Sequence, residues 1–113
     1  MSLLSILFGK KSGINEVLNV LNAEEFRSKV EGKKVQLIDV RTPNEFKSGH
    51  IKGAKNIDFF SVNFINVIEQ LDKQKAVYLY CRSGGRSRQA SKRLMSLGFQ
   101  EIYDLKGGIM NYR

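Results

Sequence analysis

The stretch Ala76-Val77-Tyr78-Leu79-Tyr80-Cys81-Arg82-Ser83-Gly84-Gly85-Arg86-Ser87 decides the fold. Its first five residues are an apolar run rich in aromatic and β-branched types, which predicts a strand buried on both faces. From Ser87 onward Ala90, Leu94 and Leu97 fall on one helical face, and Gly98 closes the pattern. A cysteine therefore stands where a strand ends and a glycine turn leads into a helix. Glycines in such a turn let the backbone fold tightly and point its N–H groups inward. The helix N-terminus adds partial positive charge at the same place, and Arg82 and Arg86 add full charge. Each feature favours an anionic sulfur, so Cys81 is expected to be a nucleophile. Arg82, Ser83, Gly84, Gly85, Arg86 and Ser87 would then form the cradle for its substrate. A lone cysteine is often only a small buried hydrophobe, but the strand, turn, arginines and helix together favour chemistry.

Upstream, Val35-Gln36-Leu37-Ile38-Asp39-Val40 reads as a second central strand, with Asp39 and Arg41 at its carboxyl end. Asn22-Ala23-Glu24-Glu25 has the form of a capping box opening a short helix through Phe26 and Val30 to Gly32. Thr42-Pro43-Asn44-Glu45 opens another, broken at Gly49. His50 to Ala54 reads as a turn and Lys55-Asn56-Ile57 as a short strand. Ser61 is expected to cap a helix that places Phe64, Ile68 and Leu71 on one face. Phe99 to Leu105 reads as a last strand, Lys106-Gly107-Gly108 as a turn, and Ile109 to Arg113 as a tail or short helix. Ile14 to Leu21 has apolar residues without a clear period. Strands alternating with helices predict an α/β domain, a small mostly parallel central sheet flanked by helices on both faces. Ligands of such sheets bind beyond the carboxyl ends of the strands, where Cys81, Asp39 and Arg41 fall.

The whole chain narrows the chemistry. With 113 residues it makes one domain with a single core, residues 14–113, preceded by an apolar and basic tail, residues 1–13. The tail, Met1 to Gly9 followed by Lys10-Lys11, is too short to span a membrane and lacks the layout of a secretory signal. The expectation is a cytoplasmic protein without membrane association. One cysteine excludes an internal disulfide, and one cysteine with one histidine argues against a protein-only metal site, so no metal or cofactor is expected. The solitary thiol also has no resolving partner, so any adduct on Cys81 must be cleared by an external molecule. The net charge of +8 is scattered rather than gathered into a nucleic-acid stripe. Small anionic substrates explain it better than nucleic acid does.

A set of linked motifs carries a resemblance. Asp39-Val40-Arg41, Glu45-Phe46, Gly49-His50-Ile51, Gly53-Ala54, Asn56-Ile57, the cysteine loop and Leu105-Lys106-Gly107-Gly108 together resemble the rhodanese-like sulfurtransferase domain. The resemblance spans residues 20 to 112 or so, and departs from the family at Lys52, often proline there, and at Ile109, commonly aromatic. It implies a rhodanese-like fold and transfer of sulfane sulfur through a Cys81 persulfide. The partners would be a small anionic donor such as thiosulfate and a thiol or protein acceptor. It casts His50 as structural, while Asp39, Arg41 and Glu45 are read as an ion-paired network bracing the loop.

Two alternatives remain at this stage. Phosphatases and arsenate reductases with look-alike sites separate cysteine and arginine by five residues. Here four separate Cys81 from Arg86, and the shorter loop suits a single sulfur atom better than a phosphoryl group. A sulfur-carrier or protein-binding module is the other.

Overall fold

The computed structural model describes residues 17–112; the expected N-terminal tail of residues 1–13 lies outside them. The elements in order are β1 (Leu18–Leu21), α1 (Ala23–Val30), β2 (Gln36–Asp39), α2 (Pro43–Lys47), β3 (Lys55–Asn56), α3 (Phe64–Ile68), β4 (Val77–Tyr80), α4 (Gly85–Ser96) and β5 (Ile102–Leu105). A short 3-10 turn at Ile109–Asn111 follows. The strands form one five-stranded sheet in the order β1-β5-β4-β2-β3, and every pairing is parallel. Pairs such as Gln36 with Val77 and Val77 with Ile102 fix the register of the three central strands.

β4 is buried along its whole length because it lies between β2 and β5 with helices on both faces. Its period of two sorts its side chains. Val77, Leu79 and then Cys81 join one apolar cluster with Phe64 and Ile68 of α3 and Ala90 and Leu94 of α4. Tyr78 and Tyr80 join the opposite cluster with Phe26 and Val30 of α1. The cysteine is thus aimed at the α4 face by strand geometry alone. Among the described residues, no helix is long and apolar enough to cross a membrane.

Both capping boxes form. Asn22 Oδ1 accepts from the Glu25 amide at 2.8 Å while Glu25 returns the bond to the Asn22 amide at 3.0 Å. Thr42 and Glu45 do the same around α2, with Pro43 in the first turn. The other boundaries differ from expectation. Ser61 does not cap α3; its Oγ accepts from the Asn63 amide at 3.1 Å in a local turn, and α3 starts at Phe64 without a side-chain cap. Helix α3 also stops at Ile68, so Leu71 packs on the core from the segment after it. Helix α4 begins at Gly85, two residues before Ser87, because Gly84 takes the left-handed conformation (φ 111°) and turns the chain early. β1 emerges where no period was visible: it is an edge strand, four residues long, made by pairing with β5 rather than by its own pattern.

The tyrosines of β4 are not inert filler. The Tyr80 hydroxyl accepts from the Ile51 amide at 3.0 Å inside the core, tying the connection before β3 to the central strand. Tyr80→Phe leaves that amide buried without an acceptor and should lower stability by about 1–2 kcal/mol. The urea midpoint should fall with the slope of the transition unchanged.

Candidate active site

Cys81 immediately follows β4, and its side chain closes the floor of a loop at the carboxyl edge of the sheet. The residue is only 1% exposed. The Gly84 amide donates to Sγ at 3.0 Å, a bond that the left-handed Gly84 backbone makes possible by folding the chain back over the sulfur. Gly85, Arg86 and Ser87 form the first turn of α4, so their amides have no acceptor one turn back within the helix. The Gly84 amide is thus the backbone donor seated on the sulfur, and the free amides of the α4 N-terminus follow it directly in the chain.

The side chains divide differently from the sequence reading. Arg82 and Ser83 are exposed at the mouth, and Ser87 is buried with its Oγ donating to the Gly84 carbonyl at 3.3 Å. Arg86 does not reach over the sulfur as a free cation. Its guanidinium makes a two-pronged bond to Glu45, Nη1 to Oε1 at 2.8 Å and Nη2 to Oε2 at 3.0 Å. Arg86 thus ties α4 to α2, and Arg82 is the exposed arginine of the loop. Arg86 beside it holds the Glu45 carboxyl down to about 2, against the opposing pull of burial and with help from Thr42.

The expected bracing network exists but in separate pairs. Asp39 Oδ2 takes Arg41 Nη2 at 2.7 Å, and the same Nη2 donates to the Gly49 carbonyl at 2.6 Å, pinning the turn after α2. Glu45 braces the loop itself. A third pair was not anticipated: Arg88 Nε donates to Oδ2 of the buried Asp104 at 2.8 Å, joining α4 to β5. Asp104 Oδ1 is buried without a hydrogen-bond partner, and burial pushes this carboxyl up against the pull of Ser87 and Arg88. Its only sequence signal was an acid between the apolar Ile102 and Leu105 of a strand. His50 stacks on Phe46 at 3.7 Å and its Nδ1 lies 2.8 Å from the Phe46 carbonyl, a local contact away from the loop.

The second feature that sequence reasoning saw only as a turn is Gly107-Gly108. Ile109 N–H donates to the Cys81 carbonyl at 2.9 Å and Met110 N–H to the Arg82 carbonyl at 3.2 Å. These bonds press Gly108 against the loop so closely that a Cβ there would meet the Arg82 carbonyl and lie 2.6 Å from the Ser83 nitrogen. A groove of about 880 Å³ between the end of α1 and the turn after α2, lined by Val30, Lys34, Arg41, His50 and Tyr112 among others, includes no residue of the loop. Among the described residues, no three His, Cys, Asp or Glu side chains converge as a metal site would require.

Comparison with known proteins follows the same residues. The sequence profile of the family described as the Rhodanese-like domain matches residues 22–113. A Bacillus subtilis (strain 168) protein named Uncharacterized protein YqhL is 43% identical over 96 residues, covering 85% of this chain and 73% of that one. Thiosulfate sulfurtransferase GlpE of Shewanella oneidensis is 34% identical over 88 residues, covering 78% of this chain and 85% of that one. The crystal structure of a rhodanese-like domain protein from Staphylococcus aureus superposes with a TM-score of 0.74 at 27% identity, covering 84% of this chain and 91% of the other.

Two outcomes check this geometry. Glu45 has its carboxyl held below its ordinary value of 4.5, so the ion pair contributes stability that is full above that value. The contribution should fade as pH drops from 4.5 toward about 2. The stability difference between the wild type and Glu45→Gln, followed by urea unfolding, should be constant at neutral pH and shrink through that window. Gly108→Ala should be at least about 1 kcal/mol worse than Gly32→Ala. Both sites have a left-handed backbone, but only at Gly108 does a Cβ meet other atoms.

Proposed function

The chain belongs to the rhodanese-like domain family, and from that premise we propose that it is a sulfurtransferase carrying sulfane sulfur on Cys81. The Cys81 thiolate attacks the outer sulfur of thiosulfate or a similar anionic donor. A new S–S bond forms, the donor's own S–S bond breaks, and sulfite leaves with the electron pair. The terminal sulfur of the persulfide then rests among the backbone N–H groups of Arg82, Ser83, Gly84, Gly85, Arg86 and Ser87. A thiol or other thiophilic acceptor removes it and returns the free cysteine. Neither step calls for a metal or an organic cofactor.

The observation that carries this reading is the Gly84 amide 3.0 Å from Sγ at the carboxyl end of the central strand. It aims a backbone dipole at the atom that must carry negative charge when it attacks, in a site closed to bulk water. Loop size supports it as well: four residues between Cys81 and Arg86 make a ring suited to one sulfur atom rather than to a tetrahedral oxyanion. Exposed Arg82 at the mouth fits the attraction of an anionic donor, while Arg86, engaged by Glu45, sets the loop's shape. The similarity to a protein named thiosulfate sulfurtransferase points to the same donor class. A cytoplasmic setting belongs to this reading, since a single free thiol serves sulfur transfer where thiols stay reduced.

Thiosulfate treatment should add one sulfur atom to the intact mass, and cyanide or a reductant should remove it. Cys81→Ser should lose both the adduct and all turnover. Turnover undiminished in that variant would end the proposal, because the chain has no second thiol.

A further inference from the structure

A small anionic donor does not need what surrounds the mouth of this loop. Phe60 is 66% exposed, Val62 97% and Met110 56%. Exposed apolar side chains scattered singly are ordinary, but Phe60 and Met110 touch the loop itself, and Val62 stands two residues beyond Phe60 in the same turn. The Arg86 guanidinium lies 5.7 Å from the centre of the Phe60 ring, and Met110 bonds through its amide to the Arg82 carbonyl. Phe60 and Met110 therefore flank the two ends of the segment that covers Cys81.

Their presentation is fixed by the backbone. Asp58 Oδ1 accepts from the Phe60 amide at 2.9 Å, Ser61 N–H bonds to the Asp58 carbonyl at 3.1 Å, and Ser61 Oγ accepts from the Asn63 amide at 3.1 Å. Phe59 anchors the turn from below, edge-on to Phe64 at 5.4 Å with the Arg93 guanidinium 4.7 Å over its ring. Folding thus holds Phe60 and Val62 outward in a turn that is already ordered, which lowers the entropy lost when a partner covers them.

Charge narrows the partner. Three acids near the loop are paired with arginines, Asp39 with Arg41, Glu45 with Arg86 and Asp104 with Arg88, while Asp58 accepts from the Phe60 amide and keeps its charge. Arg82 and Lys106 are exposed at the mouth, on a chain of net charge +8. A second copy of this chain would be repelled, whereas an acidic surface would be drawn in. Nucleic acid would satisfy the cations but leave Val62 and Met110 without a role, while Phe and Met are enriched in protein interfaces.

We propose that the rim formed by Phe60, Val62 and Met110 docks an acidic protein that presents a thiol on an extended segment to the persulfide of Cys81. The inference rests on the sulfur-transfer reading above and names the acceptor class. The partner's thiol passes its proton to the charged persulfide, and the resulting thiolate attacks the terminal sulfur, forming one S–S bond as the other breaks. The electron pair returns to Cys81 as thiolate, and the terminal sulfur leaves with its proton, so no oxidant or reductant takes part. The depth of Cys81, at 1% exposure, explains why the thiol must come on a slender segment while the rim holds the body of the partner.

The test uses two synthetic peptides of equal length ending in cysteine, one rich in glutamate and leucine, the other with lysine in place of glutamate. The enzyme is loaded with thiosulfate, and discharge of the persulfide is followed by mass. At low salt the acidic peptide should react about tenfold faster or more than the lysine peptide, and added salt should erase the difference. Phe60→Ser combined with Val62→Ser should remove most of that advantage while leaving discharge by dithiothreitol within about twofold. Binding of the acidic peptide with serine in place of its cysteine, read by fluorescence anisotropy on Cys81→Ser protein, is independent of sulfur chemistry. If thiosulfate loads no sulfur, the functional reading fails, and the docking rim is then decided by anisotropy alone. Equal rates for both peptides, or anisotropy unchanged by the double substitution, would overturn the rim. So would an oligouridylate of equal charge that binds more tightly than the peptide and is lost with the same variant.

Discussion

Two backbone hydrogen bonds hold the candidate site together: Ile109 N–H to the Cys81 carbonyl and Met110 N–H to the Arg82 carbonyl. A loop rich in glycine has many conformations available, and one that folds the Gly84 amide back onto the sulfur is among the less probable. Gly84 permits that conformation, but permission is not selection. The selection comes from the far end of the chain, where Gly107 and Gly108 have the left-handed backbone that lets the following turn lie flat on the loop. Because β5 pairs with β4, the turn that follows β5 arrives beside the loop that follows β4. The sheet order therefore does chemical service as well as packing service.

The arginines follow from the same requirement. Three of them sit near the loop, and each is matched to a carboxylate on a different element: Arg41 to Asp39 at the end of β2, Arg86 to Glu45 in α2, Arg88 to Asp104 in β5. Buried or half-buried pairs contribute little net stability compared with apolar packing, but they fix orientation. The Arg86 and Arg88 pairs fix the start of α4 from two sides, against α2 and against β5. Positive charge beside the loop is then carried by the exposed Arg82 and Lys106.

What could be read in the sequence follows the range of each interaction. The capping boxes at Asn22 and Thr42 were legible because both partners lie within three residues. β4 and β2 were legible because strands buried on both faces are continuously apolar. The cysteine's setting was legible as strand, glycine turn and helix. β1 was not, because an edge strand with Asn19 in its middle takes its identity from β5, more than eighty residues away. The start of α4 was misread because no side chain caps it; a left-handed glycine does that work without a pattern. The partner of Arg86 could not be read for a similar reason, since Glu45 lies 41 residues earlier. Gly108 could be seen as a turn, but what it turns against belongs to the tertiary structure.

Burial of the sulfur and the strong positive charge of the chain answer different demands, and separating them explains why they coexist. A sulfur atom in an apolar cluster is protected from oxidation and from indiscriminate thiols, yet negative charge there is costly unless donors are already in place. Fixed amides meet that need without a mobile cation, since they carry no charge of their own to desolvate and do not reorganise when charge appears. Mobile cations are then best kept outside, where they draw anions toward the mouth without trapping them against the sulfur. If Cys81 carries sulfur as proposed, an arginine free over it would stabilise a charged persulfide further and so slow its discharge. On that proposal, the tie of Arg86 to Glu45 would leave a carrier charged enough to form and loosely enough held to be emptied.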